Sequence, residues 1–393
     1  MIHDYYRQSG AGGENLSFEA EARLLRERGH PVLAYTRRND EIKTEGLRRK
    51  AGLALETVWS ARTLRELAGV LAGFRPDVAH VQNFFPLISP SVYYVLKTQN
   101  VPVVQTLRNY RLLCPAATLF RAGRVCEDCL GRVLPWPALT HRCYRGSLGA
   151  TGATAAMLTV HRLLGTWECQ VDLYITPSEF ARQVFIRAGF PAEKIAVKPN
   201  FVDPDPGPGD HRGNFVLYAG RLAPEKGVGT LLSAWRILGG RVPLKLAGDG
   251  PLREAVLRAA AEDPAVEWLG SRPAPEVLEL MGEARLLVFP SEWYETFGRV
   301  VVEAFARGTP VVAADLGAGA ELVRGGETGL LFRPGDPEDL AEKVAWAWTH
   351  PQALAELGRA GRTEYEAKYT AERNYQRLMQ IYETVFQRSK PSR

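Results

Sequence analysis

Short apolar runs alternate with amphipathic stretches through the second half of the chain, and this alternation limits the fold more than any other feature. The runs are NFVLYAG (214–220), VPLKLAG (242–248), VEWLG (266–270), ARLLVFP (284–290) and TPVVAAD (309–315). Helix-like segments at 227–239, 251–262, 275–282 and 298–307 separate them. Mostly apolar strands, each followed by a helix, imply a parallel sheet covered on both faces. Ligands of such sheets bind beyond the carboxyl ends of the strands. The first half repeats the theme, with strands expected at 32–35, 77–82, 101–106, 172–177 and 194–199. Helices are expected there at 14–28, 61–73 and 178–189. The opening MIHDYY leaves only a short first strand. An insertion at 107–147 breaks the pattern and carries four of the five cysteines.

A chain of 393 residues is about twice the usual single-domain size, so two domains are expected. The Pro-, Gly- and Asp-rich segment 201–214 reads as the linker. This divides the chain into an N-terminal domain at 1–203 and a C-terminal domain at 204–370. An amphipathic helix at 371–388 opens the closing segment 371–393. Hydrophobic residues make up 46% and charged residues 24%, which excludes a largely disordered chain. No apolar run is long enough to cross a bilayer. Asp4, Arg7 and Glu14 interrupt the start, against a signal peptide. Five cysteines without such a signal argue for a reducing, cytoplasmic compartment and against a disulfide framework. The net charge of +5 divides into +9 over residues 1–200 and −4 over 201–393. A basic first half suits an anionic partner, and nucleic acid and a membrane surface both fit. Scattered solvated arginine fits equally well. No nucleic-acid motif is present, so an anionic membrane surface is the partner expected.

Three blocks carry chemistry. In SEWYETFGRVVVEAFARGTPVVAAD (291–315) the carboxylates Glu295 and Glu303 are separated by seven residues. Phe297 and Gly298 stand at the expected start of the helix bearing Glu303. A helix start offers unpaired N–H groups and the positive end of the dipole, which suits a phosphate, and Gly298 lets the backbone approach closely. Glu295, at a strand's carboxyl end, suits sugar hydroxyls, and Glu303 can grip a vicinal diol with both oxygens. Single glutamates in helices are usually solvated, but the apolar run VVVEAFA places Glu303 in a mostly buried setting. In YAGRLAPEKGVGTLL (218–232), Arg221 and Lys226 flank a loop after a strand, as a diphosphate clamp would. In SGAGGENLSFEAEARLLRERGH (9–30), Gly12 and Gly13 open a helix. Asn15 stands where a dinucleotide fingerprint needs its third glycine, which removes the main support for a NAD site.

Together these blocks resemble the family-four glycosyltransferases, which are retaining enzymes of the GT-B fold. The resemblance covers nearly the whole chain and is most specific over 215–335. It implies an α/β architecture of two Rossmann-like, doubly wound domains facing across a cleft, with the last helix returning to the first domain. It implies transfer of a sugar from a nucleoside-diphosphate sugar to a hydroxyl acceptor. Glu295 would contact the donor sugar, Glu303 the ribose, and Arg221 and Lys226 the diphosphate, so that no metal is needed for the chemistry. Gly12 and Gly13 fall on the family's Gly-rich loop. Many relatives have a histidine after the strand VVQT, where this chain has Arg108. A guanidinium is not a general base, but it can hold a phosphate or the acceptor.

Cys114, Cys126, Cys129 and Cys143, with C-x2-C at the centre, match a four-thiolate zinc site. Buried free thiols and an iron–sulfur cluster are the alternatives, and a related cysteine-bearing subgroup does not settle the metal. Cys169 is expected in the core. His80 and His141 are expected to be structural, and His3 stands near the candidate site. Two other functions remain open: a GT-B sugar-nucleotide epimerase or hydrolase, and an inactive nucleotide-sugar-binding protein.

Overall fold

The structure, a computed structural model, describes residues 1–6, 13–42 and 46–389. The chain divides into two compact units, one of Met1–Leu119, Cys126–Lys198 and Tyr375–Arg393, the other of Phe120–Val125 and Pro199–Asn374.

The first unit is built on six parallel strands: β1 (Ile2–Tyr5), β2 (Tyr35–Arg38), β3 (Ala79–Asn83), β4 (Val103–Thr106) and, after a small hairpin of β5 (Phe120–Arg121) and β6 (Arg124–Val125), β7 (Leu173–Thr176) and β8 (Ile195–Val197). Their order is β2-β1-β3-β4-β7-β8. Helices α1 (Gly13–Glu27), α2 (Leu47–Val58), α3 (Ala61–Gly73), α4 (Ser91–Thr98), α5 (Trp136–His141), α6 (Leu148–Leu163), α7 (Thr166–Cys169) and α8 (Glu179–Arg187) complete it. The edge strand β2 starts three residues later than its apolar run suggested. Parallel pairing with β1 matches Ile2 to Tyr35 and carries the strand through Arg37 and Arg38. Arg37 is buried there, paired with Glu41 at 2.7 Å, so the charge does not end the strand.

The second sheet has order β11-β10-β9-β12-β13-β14, all parallel: β9 (Val216–Ala219), β10 (Leu244–Ala247), β11 (Val266–Gly270), β12 (Leu286–Phe289), β13 (Val311–Ala314) and β14 (Gly329–Phe332). Helices α9 (Val228–Leu238), α10 (Arg253–Glu262), α11 (Ala274–Glu283), α12 (Arg299–Arg307), α13 (Gly317–Leu322), α14 (Pro337–Thr349) and α15 (Pro351–Lys368) follow in order. Side chains alternate across this sheet. Val216, Leu244, Leu286 and Val312 pack with Trp235 of α9 and Val344 of α14 on one face. Leu217, Leu287 and Val311 pack with Val301 and Phe305 of α12 on the other. Two covered faces explain why these strands read as continuous apolar runs.

Segment 201–214 does not behave as a free linker. Phe201 and Val202 are buried, Gly209 N–H donates to the Arg307 carbonyl at 2.7 Å, and Asp205 pairs with Arg362 at 2.6 Å. These anchors belong to the second unit, so proline and glycine here shape a packed strap. The last helix, α16 (Ala371–Ser389), buries Leu378, Ile381 and Val385 against Leu25 of α1, Val104 of β4 and Ile175 of β7.

Candidate active site

In the second sheet the strand order reverses between β9 and β12. The chain leaves β9 toward β10 and β11, then returns to β12 on the other side. Connections from neighbouring strands run to opposite faces at such a point, and a crevice opens at their carboxyl ends. The loops after β9 and β12 therefore enter it together. Gly227 is what lets them meet. It caps α9 with a left-handed φ of 69°, and a Cβ there would fall on the Pro290 carbonyl oxygen. Glu292 N–H donates to the Glu225 carbonyl at 3.0 Å, and Thr230 Oγ1 donates to Glu292 Oε1 at 2.5 Å.

Lys226 and Glu295 are brought together across this junction. Lys226 Nζ donates to Glu295 Oε1 at 2.5 Å, and Ser291 Oγ donates to the same oxygen at 2.8 Å. Glu295 is only 7% exposed, where an unpartnered carboxylate would be costly. The Lys226 ammonium also lies 5.1 Å from the Trp293 ring centroid, a cation–π distance. Arg221 is disposed differently: its side chain is 58% exposed and pairs with Glu225, four residues along the loop. Ser291, Thr230 and Glu292 carried no signal beyond lying beside the motif residues.

Gly298 caps α12 in the left-handed region with φ 90°, and an added Cβ would lie 3.2 Å from Phe289 Cζ. The Phe297 ring is in the core, edge-on to Tyr369 at 6.1 Å, so only its backbone is left for a ligand. Glu303 is mostly buried, as its apolar neighbours in sequence suggested. Its side chain is 15% exposed and accepts from Arg299 Nε at 2.7 Å, because position 303 lies on the flank of α12 beside the stripe of Val301, Val302 and Phe305.

In the first unit, Gly12 lies outside the described residues and Gly13 is the exposed first residue of α1. Arg108 follows β4 and is buried. Its Nη2 donates to Glu21 Oε2 at 3.0 Å and to Gln82 Oε1 at 2.9 Å, and its Nε donates to Gln82 Oε1 at 3.0 Å. Lys198 meets the other oxygen of Glu21. Burial alone would raise the Glu21 carboxyl, but Lys198 and then Arg108 hold it at about 2. Glu21 is the residue the sequence reading missed. It lies at helical spacing between Phe18 and Leu25 on the apolar face of α1, and a carboxylate there has to find a cation. Asn83, Gln105, Asn109 and Arg111 line a cavity of about 20 Å³ beside Arg108, room for a water. His80 is structural, held between Tyr382 Oη at 2.7 Å and Thr106 Oγ1 at 2.6 Å. His3 stacks on Phe18 and meets Asn15 at 3.0 Å, so it is a buried packing residue. His141 is exposed.

The zinc expectation finds no support. All five cysteines are free thiols, and among the described residues no group of three or more His, Cys, Asp or Glu side chains is arranged to hold a metal ion. Cys114 and Cys129 are buried, while Cys126 and Cys143 are partly exposed. Burial, with Cys114, Cys143 and Cys126 as neighbours, pushes the Cys129 thiol up to about 11. Cys169 is also corrected: it ends the one-turn helix α7 and is exposed rather than in the core.

Residues 11–206 match the family described as Glycosyltransferase Family 4, and residues 213–350 match Glycosyl transferases group 1. The D-rhamnosyltransferase WbpZ of Pseudomonas aeruginosa is 32% identical over 161 residues, 40% of this chain and 42% of that protein. The matched segments span about half or less of the first curated relatives. Among solved structures, sucrose-phosphate synthase from Thermosynechococcus elongatus aligns with a TM-score of 0.72 at 21% identity, covering 99% of this chain and 100% of that one. Anabaena HepE, solved with UDP and glucose, aligns with a TM-score of 0.67 at 20% identity, covering 97% and 99%. At such identities these two likenesses establish the shared GT-B fold. The two family matches, which together take in the second sheet and all of the first but β1, show that the chain belongs to the family-four, group 1 glycosyltransferases.

Proposed function

We propose that the protein is a retaining glycosyltransferase that moves a sugar from a nucleoside-diphosphate donor to a hydroxyl acceptor in cell-surface glycan or glycolipid synthesis. The observation that carries this reading is the Lys226–Glu295 pair at the reversal point of the second sheet. A donor diphosphate takes over the Lys226 ammonium, helped by Arg221 and by the backbone at the start of α12. The Glu295 carboxylate so released accepts hydrogen bonds from sugar hydroxyls, and Glu303 takes the ribose diol. As the bond from the sugar's anomeric carbon to the phosphate oxygen breaks, Lys226 and Arg221 meet the charge developing on the diphosphate. The acceptor oxygen then bonds to the same face of that carbon and passes its proton to the departing phosphate. Arg108 supports this substrate-assisted reading, since its guanidinium is not a base and is already engaged with Glu21. The basic first unit would meet an acceptor carried at an anionic membrane.

A thermal-shift screen against UDP-, GDP- and ADP-sugars tests the donor class, because a ligand that binds only the native state raises the melting temperature. The UDP bound to Anabaena HepE puts uridine sugars first. Replacing Glu303 by Ala should weaken donor binding by about 1.5–3 kcal/mol, roughly ten- to hundredfold. Lys226→Ala should lower kcat more than it raises KM, the mark of transition-state stabilisation. No shift with any nucleotide sugar, or unchanged donor affinity in folded Glu303→Ala, would overturn the assignment.

A further inference from the structure

Nine of the twelve large apolar residues left exposed among the described residues lie in α2 or just after it and in 133–164. Contacts at the carboxyl end of α6 gather them. The Val133 carbonyl accepts from Thr159 Oγ1 at 3.2 Å, which holds the loop before α5 against α6. The Val58 carbonyl pairs with His161 Nε2 at 2.9 Å, which holds the end of α2 against the same helix. Leu163 lies one turn beyond Thr159, and Leu164 lies three residues beyond His161. The surface so assembled exposes Leu55 (72%), Leu163 (73%), Leu164 (55%), Trp136 (53%), Val133 (50%) and Leu134 (48%).

The rim of this patch is mainly basic, with Glu56 on α2 as an exposed acid beside Leu55. Residues 130–165 contain four arginines and no Asp or Glu, and Arg132, Arg142 and Arg145 are exposed. Arg48, Arg49 and Lys50 are exposed on α2. A patch combining tryptophan and leucine with surrounding cations has the composition of a face that lies in the headgroup layer of a membrane. Among the described residues no helix is long and apolar enough to cross a membrane, so contact through this face is interfacial.

We propose that the α2–α6 elbow and the loop before α5 form a docking face for an anionic lipid bilayer, into which Trp136, Leu163 and Leu164 insert while the arginines bind headgroups. The proposal sharpens the membrane half of the reading above and does not depend on the transfer reaction. The test is flotation of the full chain with vesicles of phosphatidylcholine alone or mixed with phosphatidylglycerol, at low and high salt. The protein should float with the mixed vesicles at low salt and largely leave them at high salt. Leu163→Ser with Leu164→Ser and Trp136→Ser should bind those vesicles at least about tenfold more weakly. Arg142→Glu with Arg145→Glu should lose the preference for the anionic lipid. All these positions are exposed, so melting temperature and nucleotide-sugar binding should stay as in the wild type. That second readout separates failure of docking from failure of the transferase assignment. Wild-type binding by both folded variants, or no vesicle binding by the wild type, would overturn the docking face. So would a dimer in light scattering that the apolar variant dissociates, since the patch would then be covered by a second copy.

Discussion

Arg108 and Glu21 show how a charge can be at home in a core. Glu21 faces two buried cations, Arg108 and Lys198, so the trio carries one net positive charge. Burial comes first among the effects lowering the Lys198 ammonium, and Glu21 opposes it. Removing the single carboxylate leaves two cations facing each other out of water, whereas removing Arg108 leaves a neutral pair. Glu21→Gln is therefore expected to cost about 3–5 kcal/mol. Arg108→Ala should cost less, about 1–3 kcal/mol, mainly for the Gln82 oxygen left without its donor. Urea denaturation of both variants checks the order. If Arg108→Ala is the more damaging, the guanidinium rather than the carboxylate organises the trio. Arg108 was legible as a departure from the family pattern. Its partner was not, because nothing in the sequence says which cation a glutamate on α1 will meet across the sheet.

At the scale of elements, the strands of the second sheet were legible because both faces are covered and all their residues but a few, Lys245 and Glu267 among them, are apolar. β2 was shifted because an edge strand tolerates the arginines that a sequence reading takes as its end. Helix α16 was visible from its amphipathic period, and the family resemblance implied its return to the first domain, but the residues it meets were not legible. It supplies Leu378, Ile381 and Val385 to a core shared with β4 and β7, and its Tyr382 holds His80. Leu378 is fully buried, so Leu378→Ala should remove about 2–5 kcal/mol. If α16 contributes only a solvated tail, the melting temperature of that variant will not move. Helices α2 and α6 escaped the reading since each exposes apolar side chains, which blurs the two-faced pattern by which an amphipathic helix is recognised.

At the scale of the whole molecule, buried titrating groups set the response to pH. Burial lowers His3 to about 4 and His80 to about 3, against 6.5 for an ordinary histidine. The unfolded chain takes up these protons first, so this stability is complete above pH 6.5 and is lost as pH falls toward 4 and 3. Asp4 works the other way. Burial raises it to about 7 from 3.8, so the native state holds its proton and loses stability as pH rises through that range. The melting temperature should fall on acidification below 6.5. Asp4→Asn should gain on the wild type between pH 4 and 7, since Asn can still accept the Leu87 N–H, which donates to Asp4 at 2.7 Å. A pH-independent difference between the two proteins would refute the raised Asp4. The sequence by itself determined the alternation of strand and helix, hence two doubly wound sheets, and it marked the loops after β9 and β12, because period and motif are local properties. Only the tertiary structure decided that Lys226 meets Glu295, that Glu21 meets both Arg108 and Lys198, that Cys169 is exposed and that an apolar face gathers on α6. Each of those depends on which distant segments the sheet order and the helix packing place side by side.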